Sequence, residues 1–209
     1  MEIEGSRTMP EQSAKPTDRT VPENVAAQSV SSQEEGPDVD TDVDVRAMTR
    51  EELIAHNLKV VEAHFHNENP ESIDKALALY GPEIVWEAPN RGQVYTDTET
   101  VRDSYLKIFN TVHFNRATTV RRFATEDYVF DDQIADLTVV GDEMPNLGFK
   151  KGDRLSMRLV HIFEMKDGKI AREIAYEMSR PWGGPTDHDA IPEGSPVEDY
   201  PDGPHYGQW

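Results

Sequence analysis

Residues Asp153–Met178, DRLSMRLVHIFEMKDGKIAREIAYEM, decide the fold. They read as two long strands joined by a tight turn at Lys166-Asp167-Gly168. Asp-Gly between two alternating runs is the strongest short-range hairpin signal. Side chains alternate along a strand, so Met157, Leu159, His161, Phe163 and Met165 share one face. One histidine therefore interrupts an apolar row. Turn length sets what faces it. A two-residue Asp-Gly turn puts Ile174 opposite His161 and Arg158 opposite Glu177. A three-residue Lys-Asp-Gly loop with a glycine bulge puts Glu173 opposite His161 and turns Glu173 and Glu177 toward its face. The first register makes a core histidine; the second makes a histidine–carboxylate pair suited to proton transfer. Both registers stay open at this point.

Upstream the pattern is helical. Thr49 with Glu52 forms a capping box, and Ile54, Leu58, Val61 and Phe65 follow at helical spacing. Asn69-Pro70 opens a second, short helix that buries Ile73, Leu77 and Tyr80 and ends at Gly81-Pro82. Glu83–Pro89 reads as a strand with Ile84, Trp86 and Ala88 on one face. The loop Asn90–Asp97 leads to a third helix carrying Val101, Tyr105, Ile108, Phe109 and Val112. Ala117–Ala124 and Tyr128–Val140 are rich in Thr, Val, Tyr and Phe and read as strands.

The flanks differ. Residues 1–47 are rich in Pro, Ser, Glu and Asp, with an acidic run at Asp38, Asp40, Asp42 and Asp44, and read as a disordered tail. Residues 48–179 form the expected domain. Residues 180–209 are a Pro/Gly-rich extension without a period, so no regular element is expected there. In that extension Trp182, Tyr200, Tyr206 and Trp209 either anchor it to the domain or a partner subunit, or lie exposed in a floppy tail.

Composition narrows the function. The chain of 209 residues has a formal net charge of -19, which repels phosphate backbones and argues against nucleic acid. It has no cysteine, hence no disulfide framework or thiol chemistry. No run approaches the roughly 20 apolar residues that span a bilayer, so no membrane partner is expected. MEIEGSRTMPEQ lacks the apolar segment of a signal peptide, and a cytoplasmic location is the expectation. His64 and His66 stand at i, i+2, which does not converge on one helix face, so no metal is expected there. With no Gly-rich phosphate loop and no Gly-x-Ser-x-Gly elbow, no cofactor and no serine nucleophile are expected either.

The order helix, helix, strand, helix, long strands, with ALALYGPEIVWEAP, the helix-opening stretch before Val101, and HIFEMKDGKI, resembles the nuclear-transport-factor superfamily across about residues 49–178. SnoaL-like polyketide cyclases, ketosteroid isomerases and limonene epoxide hydrolases belong to it. The resemblance implies an α+β fold of about three N-terminal helices on a strongly curved, mostly antiparallel sheet. It also implies a deep conical pocket and a homodimer. Ketosteroid isomerases carry their base on the first strand, where this chain has Ala88; their second acid falls near His161. The epoxide hydrolases' first catalytic Asp matches Asp136. Their partner Arg falls on Ile134, and their second Asp on Ala175. Their pocket aromatic falls on Trp86.

Together these readings make His161, Asp136 and Glu173 the candidate catalytic groups. His161 moves or donates a proton, and Asp136 or Glu173 holds its tautomer. Burial is expected to lower the His161 pKa and keep the ring neutral. For Asp136 the other possibility is a solvated carboxylate, with Ala135, Leu137 and Val139 as the buried set. Trp86, Tyr105, Leu159, Phe163 and Glu177 are the candidate substrate-binding residues. The expected function is cofactor-independent isomerisation, cyclisation or dehydration of a small apolar carbonyl or hydroxyl compound. The alternative is a non-catalytic binding or dimerisation module. Val160, Ile162, Ile174 and Tyr176 give the last two strands a second apolar face, which predicts a homodimer.

Overall fold

In the computed structural model, residues 37, 39–40, 43–184 and 190–199 are described. Thr49 opens helix α1 (Arg50–His66) with both halves of the capping box: its hydroxyl accepts the Glu52 amide at 3.3 Å, and the Glu52 carboxylate accepts the Thr49 amide at 2.8 Å. Asn69 and Ser72 bond to each other and lead into the single-turn helix α2 (Ile73–Leu77). Asp97 caps helix α3 (Thr98–Thr111) by accepting the Thr100 amide at 2.8 Å.

Seven strands form one sheet: β1 (Tyr80–Ala88), β2 (Gln93–Tyr95), β3 (Val112–Ala124), β4 (Tyr128–Val139), β5 (Arg154–Lys166), β6 (Lys169–Pro181) and β7 (Val197–Asp199). Their order is β2-β1-β6-β5-β4-β3-β7, and only β1 and β6 run parallel. This is an α+β architecture with a curved, mostly antiparallel sheet and three α-helices among the described residues. Register breaks in β3, between Phe114 and Arg116 and between Thr119 and Arg121, bend the strand.

Several boundaries differ from the sequence reading. Tyr80, Gly81 and Pro82 begin β1 instead of ending α2, because Tyr80 pairs with Ile170 of β6. The expected loop after β1 contains β2, which folds back on β1 through a turn closed by Gly92 at φ 67°. The C-terminal extension is not wholly irregular, since β7 adds to the open edge of β3 and Asp199 pairs with Arg116. Trp182 lies under the Arg154 guanidinium, 4.1 Å from its ring centre. The expectations for Tyr200, Tyr206, Trp209 and most of residues 1–47 fall outside the described residues.

The β5–β6 hairpin follows neither register inferred from sequence. The turn is the two-residue one, with Lys166 opposite Lys169 and both Asp167 (φ 52°) and Gly168 (φ 75°) left-handed. Beyond Met165–Ile170 the register slips by one, leaving Ala171 without a cross-strand partner. This bulge puts Phe163 opposite Glu173, His161 opposite Ala175 and Leu159 opposite Glu177. Glu173, Ala175 and Glu177 therefore join the inner face with Leu159, His161 and Phe163.

Two apolar clusters pack against that inner face. One joins α1, α2 and α3 to β1 and β6 through Val60, Val61, Ile73, Trp86, Val101 and Ile170. The other joins β3, β4 and β5 through Val112, Leu137, Val139, Leu155 and Met157, with Met144 from the connecting loop.

The hairpin tip docks on the helical layer, where His56 Nε2 lies 3.0 Å from the Gly168 carbonyl oxygen. A Cβ on Gly168 would stand 2.6 Å from Val45 Cγ1 and 2.9 Å from His56 Nε2, at a φ that disfavours any side chain. Gly168→Ala is expected to destabilise the fold by roughly 1–3 kcal/mol. The check is the midpoint of urea unfolding; an unchanged midpoint contradicts this account of the tip.

Candidate active site

A cavity of about 140 Å³ lies between the helical layer and the inner face of the sheet. Ile108, Phe109, Leu137, Met144, Met157 and Leu159 make one wall apolar. His161, Glu173, Tyr105, Glu177, Arg91 and Arg122 bring polar groups to the other.

His161 sits in the apolar row of β5, with its ring stacked near Phe163 at 5.8 Å and meeting Phe65 edge-on at 5.1 Å. Its Nδ1 lies 3.6 Å from Asp131 Oδ2, an ion-pair contact too long for a hydrogen bond. Asp131 is fully buried and held in place: Arg122 Nε donates to Oδ1 at 2.6 Å and Gln133 Nε2 to Oδ2 at 2.7 Å. Burial opposes a charged His161, but the Asp131 carboxylate, with Glu173 adding to it, raises the pKa above 6.5. The reverse holds for Asp131: burial opposes its charge, yet His161 and Arg122 hold it below the usual carboxylate range. The expectation that burial lowers the His161 pKa is thus corrected, because its neighbours outweigh desolvation.

A second polar group lies at the cavity floor. Glu173, fully buried, accepts hydrogen bonds from both tyrosines: Tyr80 closely, and Tyr105 at 3.2 and 3.1 Å from its two oxygens. His64 Nε2 lies 3.3 Å from Glu173 Oε2 and 2.8 Å from Glu68 Oε1. Burial disfavours the His64 charge, but Glu68 and Glu173 together raise its pKa to about 10. Glu173 is held ionised against its own burial by His64. Burial and then the Glu173 charge push both phenols well above their ordinary value, so they stay neutral donors.

A third group stands at the end of β1. Arg91 is buried, with its guanidinium 5.1 Å from the Trp86 ring centre and 3.0 Å from Glu177 Oε1. Trp86 in turn stacks on Tyr95, the rings 5.8 Å apart and 9° from parallel.

Of the residues singled out from sequence, His161, Glu173, Trp86, Tyr105, Leu159 and Glu177 line this one cavity. Phe163 lies behind them, packed against His64, Phe65 and His161. Asp136 lies elsewhere. It is one residue out of phase with Asp131 and Ala135, faces the outer side of the sheet, and is held there by Arg154 Nε at 2.8 Å and Asn115 at 3.2 Å. The carboxylate next to His161 is Asp131. Its signal lay in the sequence, for Asp131 shares parity with Gln133, Ala135 and Leu137. His64 was legible too, standing i+4 and i+3 from Val60 and Val61 and four residues before Glu68. Arg91 had no signal, because a short turn carries it into the cavity.

Residues 61–173 match the family model described as a SnoaL-like domain. No curated protein matches the chain. Among solved structures, a candidate polyketide cyclase of Xanthomonas campestris pv. campestris is similar, with 16% identity and a TM-score of 0.50 over 59% of this chain and 91% of that one. An LEH-like epoxide hydrolase of M. tuberculosis shows 19% identity and a TM-score of 0.46 over 60% and 84%. A candidate ketosteroid isomerase of Kribbella flavida shows 17% identity and a TM-score of 0.44 over 70% and 96%. At such identities the likeness concerns the fold.

The two aspartates make opposite predictions. Asp131→Asn should lower the His161 pKa, while Asp136→Asn, on the other face, should leave it unchanged; ring proton shifts in an NMR titration report both. The linkage has one sign. A raised folded pKa gives His161 a stabilising contribution that is full below about 6.5 and disappears as pH rises through the folded pKa. Equal effects of the two substitutions contradict the assignment of Asp131 as the partner.

Proposed function

Because this chain belongs to the SnoaL-like domain family, we propose that its cavity catalyses proton transfer on a small, largely apolar molecule bearing a carbonyl or hydroxyl group. The reaction class is isomerisation, cyclisation or dehydration. The observation that carries this reading is His161, lining an apolar cavity with Asp131 fixed behind its Nδ1. Asp131 stabilises the protonated ring, so the ring donates a hydrogen bond or a proton to a substrate oxygen on which negative charge develops. Glu173 and Glu177 are engaged by Tyr80, Tyr105, His64 and Arg91, which suits them to orient the polar end of a substrate. Trp86, Tyr105 and Leu159 form the walls, and Phe163 backs the His161 ring. Proteins of this fold carry names of three reaction types, which supports an enzyme-type scaffold and leaves the reaction to the side chains.

One observation favours a non-catalytic binding module. The first strand ends in the buried apolar Ala88, so it contributes no base to the cavity. A panel of small cyclic ketones, enones and hydroxy compounds, screened by thermal shift and then for turnover, separates the two readings. Catalysis predicts turnover that His161→Ala reduces by about 10²–10⁴-fold. At a pH above the folded His161 pKa, where its ionic contribution has gone, the melting temperature should stay close to wild type, because Arg122 and Gln133 still hold Asp131. His161→Asn should retain part of the activity through its amide donor. Binding without turnover supports the module. Normal turnover per folded molecule in His161→Ala overturns the site.

We also propose a homodimer through the outer face of the sheet. Tyr176 is 42% exposed and Met178 60%, beside Trp182 at 46%, while the helices cover only the inner face. Ion pairs such as Asp132–Arg158 and Asp136–Arg154 neutralise the charges between these apolar groups. Sedimentation at micromolar concentration should give the mass of two chains; the mass of one chain excludes this dimer.

A further inference from the structure

We propose that His64, Glu68 and Glu173 hold one divalent cation of the zinc class at the cavity floor, with the Tyr105 hydroxyl at the fourth position. This does not rest on the role of His161. One ligand atom from each of the three residues lies within 4.8 Å of the others. The finer geometry is more telling. Four oxygens surround His64 Nε2: Glu68 Oε1 at 2.8 Å, Tyr105 at 3.2 Å, Glu173 Oε2 at 3.3 Å and Tyr80 at 3.4 Å. Tyr80 and Tyr105 donate to Glu173, so Glu68 and Glu173 are the two acceptors that share the one Nε2 position of His64. Tyr105 lies a further 3.4 Å from Glu68 Oε1 and 3.1 Å from Glu173 Oε2. Five of the six separations among the nitrogen and the oxygens of Glu68, Glu173 and Tyr105 lie between 2.8 and 3.4 Å, and Glu68 and Glu173 offer atoms within 4.8 Å of each other. Zinc holds imidazole nitrogen and carboxylate oxygen at about 2 Å, so donor atoms about 3–4 Å apart can share one ion.

Charge and orientation agree with this assignment. An ion displaces the Nε2 proton of His64 to solvent, and the neutral imidazole with two ionised carboxylates then matches the charge of a divalent ion. His64 Nδ1 lies 3.4 Å from the Ala76 carbonyl oxygen, the kind of outer partner that fixes a liganding ring with Nε2 forward. Tyr80 orients Glu173 in the same way. Glu68, Tyr105 and Glu173 line the cavity, so an ion has a path in and presents itself to whatever occupies the cavity. An imidazole nitrogen among the donors disfavours calcium, which takes six to eight oxygens, and magnesium, which prefers oxygen and keeps several waters.

The test uses the full chain, dialysed against a chelator and titrated calorimetrically with Zn²⁺, and separately with Mg²⁺ and Ca²⁺. One equivalent of Zn²⁺ per chain is expected, and Co²⁺ should give the visible absorption of a tetrahedral site. Glu68→Gln alters a partly exposed side chain, so folding, checked by circular dichroism, should persist. It should weaken Zn²⁺ binding at least about 10-fold. Glu173→Gln should do the same, and His113→Gln, outside the cavity, should change nothing. Absence of stoichiometric Zn²⁺ binding overturns the proposal. So does binding that Glu68→Gln leaves unchanged, or tighter binding of Mg²⁺ or Ca²⁺ than of Zn²⁺.

Discussion

One unpaired residue, Ala171, determines which side chains of β6 meet the cavity. Alternation along a strand is rigid, so a one-residue slip exchanges the two faces from that point on. Without the slip, Arg172, Ile174 and Tyr176 would face inward beside His161, and Glu173 and Glu177 would face solvent. With it, two carboxylates enter an otherwise apolar enclosure. Every partner around them follows from that exchange: Tyr80, Tyr105 and His64 on Glu173, and Arg91 on Glu177.

Buried charge is tolerated only when paired and hydrogen-bonded. The cavity meets this condition in three separate places. Asp131 is balanced by Arg122 and His161, Glu173 by His64, and Glu177 by Arg91. Such pairing leaves each group little freedom to turn, so the polar side of the cavity is fixed before any ligand arrives. The apolar side, built from Leu137, Met144, Met157 and Leu159, lowers the local dielectric and strengthens those same interactions.

The outer face shows the same strands under a different constraint. Its charged side chains, Asp132, Asp136, Arg154 and Arg158, pair across strands, while Val160, Ile162, Ile174 and Tyr176 stand between them. Neutralised charge beside apolar groups, with Tyr176 exposed among them, is the observation on which the proposed dimer rests. Asp136 belongs to this face, which is why its alignment with an epoxide-hydrolase aspartate does not bring it to His161.

How much of this was legible depends on the range of the interaction involved. Local patterns determined a great deal. The capping box at Thr49, the helical spacing of Val101, Tyr105 and Phe109, and the alternation of Met157 to Met165 each depend on neighbours within a few residues. From them follow the helices, the long hairpin, the α+β class and the inward position of His161. The parity of β4 already separated Asp131 from Asp136. The bulge at Ala171, the short strand β2, the turn that buries Arg91 and the meeting of His64 with Glu173 across 109 positions of chain have no local signature. They arise because a curved sheet bends where an extra residue is left unpaired and because each buried charge must find its partner in space. The sequence by itself determined the three helices, the long strands and the row on which the histidine stands. Only the tertiary structure decided which carboxylates face it, since that depends on one slip of register between strands.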